Sequence, residues 1–431
     1  MRRIIVWALV ILLVIGFVYT GNNLLKANGF SESEVFPMQF VPKSDLCVIE
    51  TGNSHYTRAL FPSISISYPS DINSAQTIYL LQKEDSVSYI TKPESTDVEL
   101  KDLLLADFKE NSFDTTLEWE SGFPLIEASN LNKRFFASCW RNWAFLGTDR
   151  QAIERIFATI LQKTEPIKND TDFQQLWKNS NAPLYGIVYK NGESVFTEKL
   201  KIPFVNFSYP IFFEFDKNIL TLSGLTGAPT GTLFFNPFDF DGAPLEIAEP
   251  ELGQIKNFIN ESGLQIIISE KLGFPFNKFS AFSSMNSGEF VLLSKNEFAF
   301  VLKSTPISNS IYETELQNLL PLAKTSKENI NNFALITFEN VNTKFYTLEM
   351  PSLFAISNNK DVLEKIANKQ AGRVNAGNSS VFLSVNSRFN DIANLYSLNV
   401  TPLTLPDFAT SCVLTQKKRD EKLITEITFG K

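Results

Sequence analysis

The chain has 431 residues, of which 44% are hydrophobic and 20% are charged, and its net charge is −8. This composition is globular rather than disordered, and the length exceeds one ordinary hydrophobic core, so two or three domains are expected. The negative charge, without a basic patch interleaved with aromatic residues, argues against nucleic acid as a partner. Phe accounts for 39 residues, which favours a β-rich core.

The N-terminus predicts a membrane anchor. Arg2 and Arg3 precede an uncharged apolar run at residues 4–20. A helix of that length spans roughly 25 Å, close to the ~30 Å hydrocarbon core of a bilayer. The positive-inside rule keeps both arginines in the cytoplasm. We therefore predict a single-pass transmembrane signal anchor over residues 1–20, the membrane as a partner, and the bulk of the chain in the periplasm.

Two other interpretations of the apolar run stay open. A cleaved signal peptide normally has a shorter apolar core, and the small-residue match at Ala27-Asn28-Gly29 lies well past the run, so it is a poor cleavage site. A buried core helix is the second alternative. No cysteine follows closely to accept a lipid.

The elements after the anchor are mostly extended. Residues 21–43 form a polar spacer rich in Gly, Asn, Ser and Pro. A first strand is predicted at 46–50. The segments 76–82 and 86–91 read as a hairpin, and 100–108 has helical spacing.

One stretch of the chain occurs twice. Residues 134–156 and 344–366 align without a gap at a constant offset of 210. Each copy predicts a strand, a tight turn and the start of a helix, with Thr148 and Asn358 as the predicted N-caps. Charged positions keep their sign between the copies at Arg134/Lys344, Arg150/Lys360, Arg155/Lys365 and Glu154/Glu364.

The repeat extends beyond this stretch, which predicts duplication of a whole domain. Residues 44–50 correspond to 263–270 in the sequence alignment. Further pairs in the same order are 76–91 with 289–304, 100–108 with 315–323, 181–189 with 378–386, and 218–227 with 422–430.

These patterns predict an α+β, β-rich fold. The transmembrane helix would be followed by two tandem homologous modules, each a mainly antiparallel sheet with a few packed helices. The predicted boundaries are module 1 at 44–227, a connector rich in Pro, Gly and acidic residues at 228–261, and module 2 at 262–431.

The sequence contains no recognisable catalytic constellation and predicts no metal or cofactor. His55 is the only histidine, which excludes multi-histidine metal sites. Cys47, Cys139 and Cys412 are far apart and read as buried structural residues, although a Cys47–Cys412 bridge stays open in an oxidising compartment.

Two acidic patterns have a weak resemblance to functional sites. Glu118 and Glu120 flank Trp119, so on a strand both carboxylates would share one face, as an acid pair does in a glycosidase. A solvated face over a buried aromatic residue is the commoner arrangement. The run at 239–242 resembles a calcium loop but lacks the later ligands.

Phe residues concentrate in one region, and some of them are candidates for an apolar binding surface. Core packing is the commoner role of such rings, and a groove for a lipid or a partner protein is the alternative. The candidate surface residues are Phe204, Phe207, Phe212, Phe234, Phe235 and Phe238.

The anchor, the VPKSDLCVIE segment at 41–50 and the FASCWRNWAFLGTDRQAIERI element at 136–156 resemble an uncharacterised bacterial family of membrane-anchored extracytoplasmic proteins that carries a domain of unknown function. The resemblance implies a cell-envelope location and a non-enzymatic protein. It implies no catalytic residues.

Three functions are compatible with these observations. The first is a non-enzymatic binding or scaffold protein of the cell envelope that contacts another protein. The second is a carrier of a lipid or other apolar ligand in a Phe-lined cavity. The third is a hydrolase that uses carboxylates alone.

Overall fold

The computed structural model describes residues 37–431 except for 53–55, 66–73, 84–85, 94–99, 179, 204, 206, 226–232, 234–236, 241, 250–251, 284–286, 369–371, 374–378, 380 and 420–421. The predicted anchor and most of the predicted spacer lie outside the described residues. Within those residues, no helix is both long and apolar enough to cross a bilayer.

Strands dominate the described chain. In chain order they are β1 (Leu46–Thr51), β2 (Ser74–Leu81), β3 (Val87–Pro93), β4 (Asp114–Glu120), β5 (Phe123–Ser129), β6 (Arg134–Trp140), β7 (Trp143–Gly147), β8 (Leu184–Val188), β9 (Ile211–Asp216), β10 (Ile219–Gly224), β11 (Phe238–Asp239), β12 (Leu245–Glu249), β13 (Gly288–Leu292), β14 (Phe298–Lys303), β15 (Lys324–Ile330), β16 (Phe333–Glu339), β17 (Lys344–Met350), β18 (Leu353–Ser357), β19 (Gly372–Arg373), β20 (Val381–Asn386), β21 (Ser411–Arg419) and β22 (Lys422–Gly430).

The α-helices are fewer and short. They are α1 (Tyr56–Leu60), α2 (Leu100–Glu110), α3 (Arg150–Ile160), α4 (Thr171–Leu176), α5 (Glu193–Phe196), α6 (Leu252–Ser262), α7 (Leu264–Leu272), α8 (Pro306–Leu319), α9 (Lys360–Ala367) and α10 (Arg388–Leu395).

Twenty of the described strands form one antiparallel sheet, while β11 and β19 form a separate two-stranded ribbon. The predicted α+β fold, with a separate sheet in each of two modules, is therefore wrong. One reason is the ladder between β10 and β22, whose six residue pairs run from Ile219↔Thr428 to Gly224↔Leu423. It joins strands that the sequence pattern assigns to different modules, and a pairing so distant in sequence leaves no local signal.

The chain divides into two compact units that differ from the predicted modules. The first comprises Met1–Asn53 and Ile66–Trp177, and the second comprises Ser54–Ser65 and Lys178–Lys431. Strands β8 to β10 belong to the second unit although they precede the predicted connector. The predicted connector itself contains β11, β12 and all of α6 except Ser262.

In the first unit, the strand order is β1-β2-β3-β7-β6-β5-β4, with helices on both faces. Leu104 and Phe108 of α2 pack in one core cluster with Ile126 of β5. On the other face, Phe123 stacks on Phe157 of α3, with ring centroids 4.5 Å apart. Because helices cover both faces of the sheet, the sequences of β5 and β7 are nearly continuous apolar runs.

The segment that precedes β1 is held in this unit by aromatic contacts. Phe40 is buried and meets Trp140, Trp143 and Phe145 edge-on, at centroid distances of 5.6, 5.5 and 6.0 Å. The carbonyl of the next residue, Val41, accepts a hydrogen bond from the Ile167 N–H at 2.9 Å. The chain is therefore fixed in place before its first strand begins.

In the second unit, the strand order is β15-β16-β17-β18-β14-β13-β12-β20-β21-β22-β10-β9-β8. Its first seven strands repeat the topology of the first unit, with β12 in the place of β1. The two three-stranded meanders, β8-β9-β10 and β20-β21-β22, meet along the β10–β22 ladder.

The repeat seen in the sequence is a structural repeat. Each of β4 to β7 begins and ends 210 residues before its counterpart among β15 to β18. Helices α3 and α9 also begin 210 residues apart, at Arg150 and Lys360. The four-stranded meander and the helix that follows it are therefore the same building block used twice.

The caps of α3 and α9 lie one residue later than predicted. The Asp149 carboxylate accepts the Ala152 N–H at 2.8 Å, and the Asn359 side chain accepts the Asp361 N–H at 3.0 Å. The prediction of Thr148 as the cap is wrong by one position. The two caps are again 210 residues apart, so the role is repeated with different chemistry.

Thr148 and Asn358, the residues before the caps, have a shared role of another kind. The Thr148 hydroxyl accepts the Val87 N–H at 3.2 Å, at the start of β3. The Asn358 side-chain oxygen accepts the Phe298 N–H at 3.0 Å, at the start of β14. In both copies a side chain therefore binds the first residue of the neighbouring strand.

Residues 263–270, which the sequence repeat aligns with the first predicted strand, lie in helix α7 and the glycine before it. An apolar run without alternation does not separate a buried strand from a buried helix. The helix lies between Gly263 and Gly273, whose φ values of +89° and +77° are in the left-handed region that suits glycine. The strand that corresponds to β1 is β12, which pairs with β13 as β1 pairs with β2.

Removal of either cap should destabilise the fold. We expect Asp149→Ala to lower the free energy of unfolding by ~1 kcal/mol, because the Ala152 N–H loses its acceptor. Asn359→Ala should do the same in the second copy. Urea unfolding followed by circular dichroism measures both. Asp149→Asn keeps an acceptor and is the matched control, so an equal loss in this variant would contradict the cap.

Candidate functional site

The structure places the predicted Phe surface partly in the interior of the second unit. Phe212 of β9 and Phe238 of β11 are buried. Phe207 is half-buried, and its ring lies edge-on to Phe196 at 5.8 Å. The remaining candidates, which fall outside the described residues, are Phe204, Phe234 and Phe235.

The two glutamates on β4 do not lie in a groove. Glu118 and Glu120 both bind Arg150, the first residue of α3, and Glu118 does so at 3.3 Å. Arg150 also holds Glu154 one helical turn on, at 2.8 Å. The Arg150 guanidinium donates hydrogen bonds to Glu154 and Glu120, and these bonds raise the pKa of Arg150 above its already high value. These carboxylates are arranged around a fixed cation, unlike an acid pair that exchanges protons.

The second copy repeats this cluster. Lys360 binds Glu328 of β15 at 2.7 Å and Glu364 at 3.1 Å. The Lys360 ammonium group donates hydrogen bonds to Glu328 and Glu364, and these bonds raise the pKa of Lys360. Glu328 lies 210 residues after Glu118, so cation, strand carboxylate and helix carboxylate all recur.

We call these two clusters the edge latches. The first comprises Arg150, Glu118, Glu120 and Glu154, and the second comprises Lys360, Glu328 and Glu364. Each latch joins the last strand of a unit's sheet to the helix packed near it. Exposed ion pairs contribute little to overall stability, so the role that fits them is to fix the orientation of the strand.

The latched strands have open edges. Among the described strands, β4 pairs only with β5, and β15 pairs only with β16. Each has seven residues, and every one of them is exposed or half-buried. Each strand therefore presents one side of its backbone without a strand partner in the described chain.

The hairpin turns fix which backbone groups face outward. Ser121–Gly122 and Asn331–Asn332 have positive φ at both residues, which is the signature of two-residue type I′ turns. In such a hairpin the flanking pair Glu120↔Phe123 is hydrogen-bonded, and bonding alternates from there. The outward N–H groups of the two edges are therefore those of Thr115, Leu117, Trp119, Thr325, Lys327 and Asn329.

The side chains of the two edges differ in character. Trp119 is 67% exposed and Leu117 is 40% exposed, on the face of β4 opposite the latch. The charged residues of β4 are Asp114, Glu118 and Glu120, whereas those of β15 are Lys324, Lys327 and Glu328. One open edge is therefore acidic with an exposed aromatic ring, and the other is mainly basic.

The described cysteines are free thiols, so the Cys47–Cys412 bridge that the sequence left open does not form. Burial raises the pKa of Cys412 to about 12 and also raises that of Cys47. Cys139 is half-buried. Buried neutral thiols pack as small apolar groups and are poor nucleophiles.

The residues that the sequence offered for histidine catalysis or calcium binding do not belong to the edge latches. His55 and Asp241 lie outside the described residues, and Asp239 ends β11. Throughout the part of the chain that is described, no group of three or more His, Cys, Asp or Glu side chains is arranged to hold a metal ion.

No family model and no curated protein matches this chain. Among solved structures, the chain is similar to one titled "Structure of crystal form I of TP0453", with a TM-score of 0.21 and 9% sequence identity. That alignment covers 78% of this chain and 98% of the other. A TM-score of this size does not establish a shared fold.

The latches predict a local effect on the edge strands. We expect Arg150→Met to speed hydrogen exchange at the Glu118 and Glu120 amides, because β4 loses its link to α3. Lys360→Met should do the same at Glu328 only. Exchange measured by mass spectrometry at low and high salt tests this, since salt screens exposed pairs. Unchanged protection of β4 in the first variant would rule out the latch.

The thiols should differ in reactivity. At pH 8 a thiol of pKa about 12 is ionised to about one part in ten thousand, so Cys139 should be alkylated before Cys412 in the folded protein. The pKa of the Cys412 thiol is higher in the folded chain than in the unfolded chain. The stability gained from burying this neutral thiol is therefore present below pH ~9 and lost between ~9 and ~12. Mass spectrometry after iodoacetamide treatment measures which thiol is alkylated first. Equal labelling of Cys139 and Cys412 in the folded protein would contradict this prediction.

Proposed function

We propose that this chain is a membrane-anchored protein of the cell envelope that binds another protein by strand addition, as a binding or scaffold protein rather than an enzyme. The observation that carries the proposal is the pair of open, latched edges. An exposed edge offers a row of backbone donors and acceptors, and an added strand satisfies them.

The side chains along β4 favour specific binding over accidental pairing. Backbone bonds give affinity in strand addition, while alternating side chains give specificity. Leu117 and Trp119 offer apolar contacts on one face, and the latch fixes Glu118 and Glu120 on the other. A strand held in a fixed orientation loses less conformational entropy when a partner binds.

The other two candidate functions have less support. An apolar carrier needs rings that line a cavity, whereas the described Phe276, Phe282 and Phe300 contact one another at centroid distances of 4.4 to 5.7 Å. A carboxylate hydrolase needs one carboxyl as general acid and another as general base, whereas Glu118 and Glu120 both bind the cation Arg150.

The envelope location rests on the sequence. The uncharged run at 4–20 follows two arginines, and the resemblance to membrane-anchored extracytoplasmic proteins agrees with that orientation. In this proposal the partner is a protein in the same compartment, reached by a chain tethered to the membrane.

Site-specific photo-cross-linking in cells tests the proposal. With a benzophenone amino acid at Trp119 or at Asn329, both on open edges, we expect discrete adducts after irradiation, because a bound strand would lie within reach of the probe. Ile266 of α7 is exposed and lies on neither edge, so the probe at that position is the control.

The result can contradict the proposal directly. If neither edge position gives an adduct that the control position lacks, strand addition at these edges is wrong. Mass spectrometry of the adducts identifies the partner in the opposite case.

A further inference from the structure

The two edges are complementary to each other. We infer that the partner of edge β4 is edge β15 of a second copy of this chain. The inference rests on the proposed function, because it names the protein that the open edges bind. Three observations support it: the backbone register that β4 and β15 can share, the opposite charges of the two edges, and the occurrence of both edges in repeated hairpins.

The backbone groups match in one register. When β4 and β15 of a second copy run antiparallel with Leu117 opposite Lys327, the outward residue Thr115 faces Asn329 and the outward residue Trp119 faces Thr325. Every outward residue then meets an outward residue, which antiparallel hydrogen bonding requires. Both strands have seven residues, so the ladder extends along the whole of each edge.

The side chains match in the same register. Glu120 lies directly opposite Lys324 of the second copy, and opposite charges on facing positions stabilise a pair of strands. On the other face, Lys327 of the second copy is diagonal to Trp119, within reach of its ring for a cation–π contact.

Pairing of like edges is disfavoured. Two copies of β4 centred on Leu117 would place Asp114 opposite Glu120 at both ends of the ladder. Two copies of β15 in the equivalent register would place Lys327 opposite Lys327. Like charges on facing positions are destabilising, so charge selects the unlike pair.

The contact is expected to be weak and head-to-tail. A seven-residue strand pair is a small interface, so confinement at a membrane, which raises the effective concentration, would favour it. Because the two surfaces differ, a pair of copies joined by one contact leaves one β4 and one β15 free, and further contacts extend the pair into a row or close it into a ring.

Disulfide trapping of the full chain in liposomes tests the register. Glu118 and Ser326 of a second copy would be a facing, non-hydrogen-bonded pair with Cα atoms ~4.5 Å apart, within disulfide range. Glu118→Cys and Ser326→Cys chains, both carrying Cys139→Ser, are reconstituted together and mildly oxidised. We expect a cross-linked dimer from the mixture, several-fold above either chain alone. The matched control pairs Leu117→Cys with Ser326→Cys, because these side chains point to opposite faces and should cross-link little.

A second pair of variants removes the contact while keeping Arg150, Glu120 and Glu154 of the first latch. Leu117→Pro and Lys327→Pro each delete one outward N–H while leaving the bonds to β5 and β16 in place, as edge strands tolerate. Each variant should cut the Glu118→Cys with Ser326→Cys cross-link several-fold, with an unchanged circular dichroism spectrum.

The outcomes separate the two proposals. A mixture that cross-links no better than its single components, or as well as the opposite-face control, overturns the pairing of copies. If edge photo-adducts then contain a different envelope protein, the proposed function stands and this inference alone fails. If the edge positions give no adducts, strand addition at these edges fails as well.

Discussion

The satisfaction of backbone hydrogen bonds is the constraint on which the rest of this structure depends. Each strand in a sheet needs a neighbour on both sides, and a sheet that does not close must end in two strands that lack one. In the described chain those strands are β4 and β15, and both are covered with charge and tied to a helix. The strands inside the sheet are free to be apolar because their backbone groups are already paired.

The duplication explains why the two open edges are related but not identical. The strands of the meander recur at an offset of 210 with the same bounds, and the helix that follows begins at the same offset, so the two blocks have the same local geometry. Within that geometry the side chains differ: Arg150 corresponds to Lys360, and Trp119 corresponds to Asn329. Some positions inside the sheet are apolar in both copies, such as Leu125 and Leu335, whereas the two edge strands differ in charge.

Local patterns were sufficient to predict part of the fold. Alternation and turn signals predicted the β2–β3 hairpin, and the ungapped repeat predicted a strand, turn and helix that the structure contains twice. The cap of α3 was predicted one residue early because Thr148 and Asp149 are both good caps, and only the Val87 contact separates their roles.

Other features depend on distant contacts and could not be predicted in the same way. The pairing of β10 with β22 is decided by backbone ladders between segments that share no turn, and α7 was aligned with a predicted strand because its apolar run has no period. Only part of the candidate site could be predicted. The sequence repeat aligned Arg150 with Lys360, but it did not indicate that Glu118 and Glu328 bind these two cations.

The burial of Phe40 has a mechanical consequence. This residue contacts three aromatic rings, and it lies in the buried segment that precedes β1. In a chain anchored as proposed, a pulling force from the membrane would reach the β6–β7 hairpin through these aromatic contacts before it reached β1. Release of the chain by proteolysis upstream of Pro37 would leave the contact intact, so a shed form would keep the same folded N-terminus as the tethered one.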